Sequence, residues 1–236
     1  MSKTPLLEIT KQAAPLRQQV EGALRQAIVD GRFRPGQRMT ERELTTMLGV
    51  SRTLLREALR QLESEGLISV IPNRGAVVRE LSAEDIEELY AIRAVLEGLA
   101  ARSFAQKANA YSLRLLGDAQ VEAVAAYKSD DAERALQAKN RFYELMVAGA
   151  GSSSLSAMLA TLHSRIRQWR AIGMTHPQRS PQRSTEAIDG LTAIWTAISQ
   201  RDAVAAEAAT RDEARRGAAE LMRLLSELPG RVAAES

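Results

Sequence analysis

The most constraining stretch of this 236-residue chain lies between Thr40 and Gly66, where two short amphipathic segments flank Gly49-Val50. Thr40, with Glu43 three residues on, forms a capping box, so a helix opens at Glu41. Gly49 ends that helix early. Ser51 then caps a second helix that runs to about Glu65, with Gly66 closing it. Its apolar residues Leu55, Ala58, Leu59 and Leu62 share one face, while Arg52, Arg56 and Arg60 follow one another at intervals of four along a neighbouring face. Another helix precedes these over residues 15–30, opened by Pro15 and stopped at Gly31. Behind Gly66 come two β-prone runs, LISVI and AVVREL, separated by PNRG, a hairpin signal. Residues 15–80 therefore predict helix, helix, tight turn, helix and two-stranded hairpin, which is a winged helix-turn-helix.

From Ser82 onward the apolar spacing is helical almost throughout. Ser82 with Asp85 caps a helix reaching about Gln106, and further helices fall near 112–128, 131–148, 153–172, 184–200 and 202–228. The stretch MTHPQRSPQRS, polar, basic and interrupted by proline, reads as a surface loop. The fold class is mainly α: a winged helix-turn-helix over 15–80, then an all-α bundle of six or seven helices over 81–228. Residues 1–14 read as a flexible arm and 229–236 as a tail. A content of 45% hydrophobic and 26% charged residues supports a packed core.

Several chemistries are excluded by what the chain lacks. Without cysteine there is no disulfide, thiolate zinc site or cysteine nucleophile, which suits the reducing cytoplasm where the chain is expected to work. Only His163 and His176 are present, so a site built on several imidazoles is impossible. The start lacks the apolar core of a signal peptide, and no apolar run is long enough to span a membrane. There is no nucleophile–base pair, phosphate-cradling glycine loop or nucleotide fingerprint, which argues against an enzyme. Charge is unevenly placed. Residues 1–80 carry 13 Lys+Arg against 9 Asp+Glu, and residues 81–236 carry 19 against 20. A basic first third on a near-neutral remainder implies a nucleic-acid module joined to something else.

The N-terminal motifs carry a family resemblance. Gly31, Pro35-Gly36, Glu41-Arg42-Glu43-Leu44, Gly49-Val50-Ser51-Arg52-Thr53, Arg56-Glu57-Ala58-Leu59, Glu65-Gly66-Leu67 and Asn73-Arg74-Gly75 together resemble the DNA-binding domain of GntR-family bacterial transcription regulators. The second part resembles the helical effector and dimerisation (FCD) domain of the FadR subfamily, through Leu89-Tyr90-Ala91-Ile92-Arg93-Ala94-Val95-Leu96-Glu97, Asn140-Arg141-Phe142-Tyr143, and Ala197-Ile198 followed by Arg201-Asp202. The resemblance implies a homodimeric, sequence-specific regulator, expected to be a repressor, with double-stranded operator DNA as its partner. Arg52, at the start of the second helix, is placed to reach a base edge, where a guanidinium offers two donors to guanine. Arg56, one turn later, is expected near phosphates or a second base, with Arg42 contacting from the preceding helix. The hydroxyls of Ser51 and Thr53 are suited to phosphate oxygens. In the hairpin, Gly75 permits close approach, and Asn73 or Arg74 reaches the minor groove.

In the second part, Arg93 and Glu97 interrupt the apolar stripe Ile86, Leu89, Leu96, Ala100 and Phe104. Either they pair with each other, or Arg93 faces a pocket and binds an effector carboxylate. Lys139, Asn140 and Tyr143 lie on or beside the stripe of Leu136 and Val147, and Arg165 with Trp169 offers a cation and an aromatic wall. Many FadR-subfamily members hold a metal on one Asp and three His. Matching that pattern puts Lys139 at the Asp, Tyr143 at the first His, Leu191 at the second and Glu213 at about the third, so the resemblance implies no metal and no cofactor here. The expected effector is a small anionic metabolite, a carboxylate or an acyl-coenzyme A, bound by Arg93, Lys139, Asn140, Tyr143, Arg165 and Glu213. Two alternatives stay open: a regulator with a degenerate pocket and no small-molecule effector, and an enzyme with an accessory DNA module.

Overall fold

The computed structural model describes residues 13–71, 75–129 and 131–226. The chain divides into two compact units, residues 1–80 and 81–236.

In the first unit, α1 (Ala13–Val29) begins two residues earlier than expected, so Ala13 and Ala14 belong to it; the rest of the expected arm lies outside the described residues. It buries Val20, Leu24 and Ile28, which recur every four residues on one face. α2 (Glu41–Leu48) opens on the expected capping box. The Thr40 side chain accepts from the Glu43 amide, and the Glu43 side chain accepts from the Thr40 amide. It stops at Gly49, whose φ of 66° is left-handed, and the Gly49 amide donates to Thr45. α3 (Arg52–Ser64) is capped by Ser51 and buries Leu55, Ala58, Leu59 and Leu62 against α1 and α2. Two strands follow, β2 (Ile68–Ile71) and β3 (Gly75–Val78), paired antiparallel from Ile68↔Val78 to Ile71↔Gly75.

The wing differs from the expected hairpin by a third strand. β1 (Arg38–Met39) pairs antiparallel with β3, Met39 opposite Ala76, giving the order β1-β3-β2. Met39 is buried and closes the core beneath the sheet. Gly75 has a φ of 85°, and a Cβ there would lie 3.3 Å from the Met39 carbonyl oxygen, so glycine serves both the turn and the close approach of β1.

The second unit holds six described helices: α4 (Ala83–Lys107), α5 (Ala110–Lys128), α6 (Ala132–Gly149), α7 (Ser153–Thr175), α8 (Gln182–Ser199) and α9 (Ala203–Ser226). The expected tail lies outside the described residues. Four helix starts are fixed by side chains. Ser82, Asn109, Asp131 and Ser152 each accept from the amide three residues on. α4 packs most extensively on α9 and also touches α6, α7 and α8. Their shared core includes Ile86, Phe104, Leu116, Phe142, Met146, Ile166 and Leu191. α7 runs to Thr175 rather than ending near 172. Met174 packs against the core there and accepts from the Tyr127 hydroxyl at 3.7 Å, which extends the helix through Gly173.

Candidate DNA interface and effector cavity

The turn between α2 and α3 sets out the basic residues. Arg42, Ser51, Arg52, Thr53 and Arg56 are all exposed. The Ser51 Oγ accepts from the Leu54 amide at 3.3 Å, which occupies a lone pair and leaves the hydroxyl proton free to donate to a phosphate oxygen. Arg56 does not swing free. Its Nε donates to Glu41 Oε1 at 2.8 Å, across the turn, and that hydrogen bond holds the Glu41 carboxyl below its ordinary value. Sequence reasoning missed Glu41 as the partner, because the two residues meet only once α2 and α3 have packed. The Thr45 and Thr46 hydroxyls both donate to the Arg42 carbonyl, at 3.0 and 2.9 Å. Gly75 lies at the start of β3, while Asn73 and Arg74 lie outside the described residues.

The helical unit holds a half-open cavity of about 50 Å³ lined by α4, α5, α6, α7, the loop before α8, the start of α8, and α9. Two residues expected at an effector site, Arg93 and Lys139, are in its wall. The other four are not. Asn140 and Arg165 are half-buried outside it. Tyr143 lies beneath Arg93, and Glu213 is bonded to Lys139. The reason is one of register. α6 turns Lys139, not Asn140, into the interior, and α7 presents Arg170 rather than Arg165. Sequence reasoning also missed Arg179 and Arg183, which the basic loop and the start of α8 deliver to the wall. Tyr127, Met174 and Arg179 are shared with a wider surface recess of about 550 Å³.

The cavity is strongly cationic. Arg93 Nε donates to Glu97 Oε1 at 3.0 Å, and His163 Nε2 lies 2.8 Å from the same oxygen. The two readings of Arg93 thus coexist: it pairs with Glu97 and also faces the cavity. Its guanidinium lies 5.2 Å from the Tyr90 ring centre and 5.5 Å from that of Tyr143, with Arg170 6.0 Å from Tyr143. Lys139 Nζ donates to Glu213 Oε1 at 2.5 Å, and Arg183 Nη2 donates to it at 2.7 Å. Although burial favours the neutral acid, Arg93 and His163 bring Glu97 down to about 2. Burial lowers Lys139 to about 7, against the pull of Glu213. Burial also lowers the Arg170 guanidinium, helped by repulsion from Arg93.

A metal of the kind FadR-subfamily members hold does not fit these residues. Lys139, Tyr143, Leu191 and Glu213 are all buried, but together they supply one carboxylate already taken by two cations, an ammonium, a phenol and a hydrocarbon. Among the described residues no group of three or more His, Cys, Asp or Glu is arranged to hold a metal ion.

A winged helix-turn-helix presenting arginines at the start of α3, followed by an all-helical unit, defines the class: a DNA-binding transcription regulator rather than an enzyme. Residues 16–78 match the family of bacterial regulatory proteins, gntR family, and residues 88–216 match the FCD domain. The chain belongs to the GntR family and carries an FCD domain. It is 30% identical over 168 residues to the HTH-type regulator YdhC of Bacillus subtilis, covering 70% of this chain and 75% of that protein. It is 26% identical over 198 residues to the HTH-type transcriptional repressor RspR of Escherichia coli, covering 83% and 84%. Among solved structures, a GntR regulator from Rhodococcus sp. RHA1 superposes with a TM-score of 0.71 at 26% identity, covering 90% of this chain and 98% of that one. Among the described residues no helix is long and apolar enough to cross a membrane.

Proposed function

We propose that the chain is a homodimeric repressor whose operator binding is modulated by a small anionic metabolite held in the helical unit. The observation that carries the ligand half is the cluster of arginine and lysine side chains around one half-open cavity. The DNA half rests on Arg42, Ser51, Arg52, Thr53 and Arg56, all exposed about the α2–α3 turn, and on Gly75 at the start of β3, with Asn73 and Arg74 kept as the resemblance implies. Arg52, the first residue of α3, reads a base edge, and the hydroxyls and remaining arginines set the register on phosphates. Repression is the role named for RspR and carries over as part of this proposal.

Dimerisation is supported by α4, which leaves Ile92, Val95 and Leu99 exposed in a row while burying its opposite face. A second copy packed along that row supplies the paired half-site reading such domains use. The cavity's small volume favours a carboxylate over an acyl-coenzyme A. Ligand control requires that one arrangement of the DNA-binding units bind the metabolite better than the other.

A mobility-shift assay on the chain's own upstream region tests DNA binding. Arg52→Ala is expected to abolish sequence preference with an unchanged helical circular-dichroism signal, and a footprint equal to the parent's refutes the assignment of α3. Sedimentation of Val95→Asp tests the dimer: the parent is expected to run as a dimer and the variant as a monomer.

A further inference from the structure

We infer that the cavity takes a short dianion directly on Arg93 and Arg170, with no metal between, because Lys139 locked to Glu213 is the resident cation of the site. This deepens the proposed function and rests on it.

Five cations in the wall, Arg93, Lys139, Arg170, Arg179 and Arg183, stand against three carboxylates, Glu97, Glu213 and the half-buried Glu186, which lies 3.8 Å from Arg183. Glu97 serves Arg93, and Glu213 is shared by Lys139 and Arg183. Arg170 has no carboxylate within ion-pair distance among the described residues, and it shares the Tyr143 ring with Arg93. Glu220, also in the wall, is already bonded to Arg223 at 2.9 Å and to the Ser180 amide at 2.7 Å. With Lys139 protonated, the cluster therefore holds two more positive charges than it balances. Arg93 Nη2 and Arg170 Nη2 are buried N–H groups with no protein acceptor, and Arg93 is only 3% exposed. An uncompensated buried charge is costly, so this arrangement selects an anion, and two surplus charges select a dianion. Guanidinium forks favour carboxylate or phosphate oxygens.

Size sets the carbon skeleton. At roughly 10–15 Å³ for each water-sized group, a cavity of about 50 Å³ holds about four such groups. Trp169, Leu136 and Leu221 give it an apolar side against which a short chain can lie. Gly217 leaves that space open. A Cβ there would come 3.7 Å from Arg183 Nη2 and 4.0 Å from Arg93 Nη1, between the two guanidinium groups. The shared chemistry is thus two negative charges on a few carbons, borne by a dicarboxylate or a phosphomonoester.

The test is calorimetry and thermal shift on the full chain in a chelator. The probes are malonate, succinate and glutarate, with glycerol 3-phosphate and inorganic phosphate as the phosphate arm and propionate and butyrate as monoanions. Each titration is repeated with zinc, nickel or manganese. Dianions of one arm are expected to bind at least tenfold more tightly than monoanions, with the metals changing Kd less than twofold. Arg170→Met is expected to raise the ligand-free Tm, since it removes a half-buried cation that has no carboxylate partner, and to cut the dianion preference below threefold. A role confined to the fold predicts a lower Tm instead. Gly217→Val, which fills the cavity, is expected to abolish binding in a folded protein. Stoichiometric metal uptake, binding that requires a metal, or equal affinity for mono- and dianions overturns the inference while leaving an anion effector standing. No binding of any probe under any condition overturns the effector reading itself.

Discussion

Glu213→Gln probes the electrostatic centre of the helical unit. The Glu213 side chain is fully buried, and its Oε1 accepts from both Lys139 and Arg183. Hydrogen bonds to charged groups contribute about 1.5–3 kcal/mol each, and removing one partner of a buried ion pair costs about 3–5 kcal/mol overall. The two cations do not suffer equally. Lys139, held at about 7, sheds its proton readily once Glu213 is gone, whereas Arg183 cannot. At pH 6, where Lys139 is charged in the parent, the cost therefore falls mainly on Arg183, and the expected destabilisation is about 3 kcal/mol. Lys139→Met combined with Glu213→Gln should cost less than the two single changes summed, by about 1–2 kcal/mol, because the lysine has lost its reason to be charged. Urea denaturation followed by tryptophan fluorescence measures this cleanly, since Trp169 and Trp195 both lie within residues 81–236. A Glu213→Gln cost below about 1 kcal/mol, or strict additivity of the pair, refutes the view that Glu213 holds the two cations in place.

Other expectations follow from the same contacts. Lys139 binds its proton less tightly when folded than when unfolded, so the parent should gain stability as pH rises from about 7 towards 10.5, and Lys139→Met should flatten that slope in pH-dependent denaturation. Dianion affinity should weaken as pH rises through about 7, because Arg93, Arg170 and Arg183 keep their charge while Lys139 loses its own; calorimetry in buffers of different ionisation enthalpy should register proton uptake on binding. Ser51→Ala, which removes the α3 cap, should cost about 1 kcal/mol in the thermal unfolding of the first unit. Gly149→Ala should destabilise despite alanine's higher helix propensity, since its Cβ would overlap the buried Phe104 ring; a raised Tm would contradict that packing.

What the sequence disclosed followed the range of the interaction. Thr40 with Glu43 and Ser82 with Asp85 were legible because a capping box closes within one helical turn. The pairing of Arg93 with Glu97 was legible as one of two readings for the same reason. β1 was not, because Arg38 and Met39 form a strand only by pairing with Val77 and Ala76, far along the chain. The cavity wall was half legible. Arg93 and Lys139 stood out as charges within apolar stripes, but choosing Arg170 over Arg165 required knowing how α7 is rotated against α4 and α6. Arg179 and Arg183 looked like surface charge because their partners are on other elements, Glu213 on α9 among them.

Thermodynamic linkage offers the strictest check on the functional reading. α4 follows the DNA-binding unit in the chain after residues 79–82. It carries Tyr90 and Arg93 to the cavity and Ile92, Val95 and Leu99 to its exposed face. If a dianion in the cavity changes operator affinity by some factor, operator DNA must change dianion affinity by the same factor, since both are sides of one cycle. Effects of this kind amount to about 5–150-fold, well within reach of calorimetry performed with and without operator. Equal factors, both lost together in Arg170→Met and Gly217→Val, place the coupling in this cavity. Unequal factors indicate a second site, and a factor of one in both directions leaves a cavity that binds anions without governing DNA.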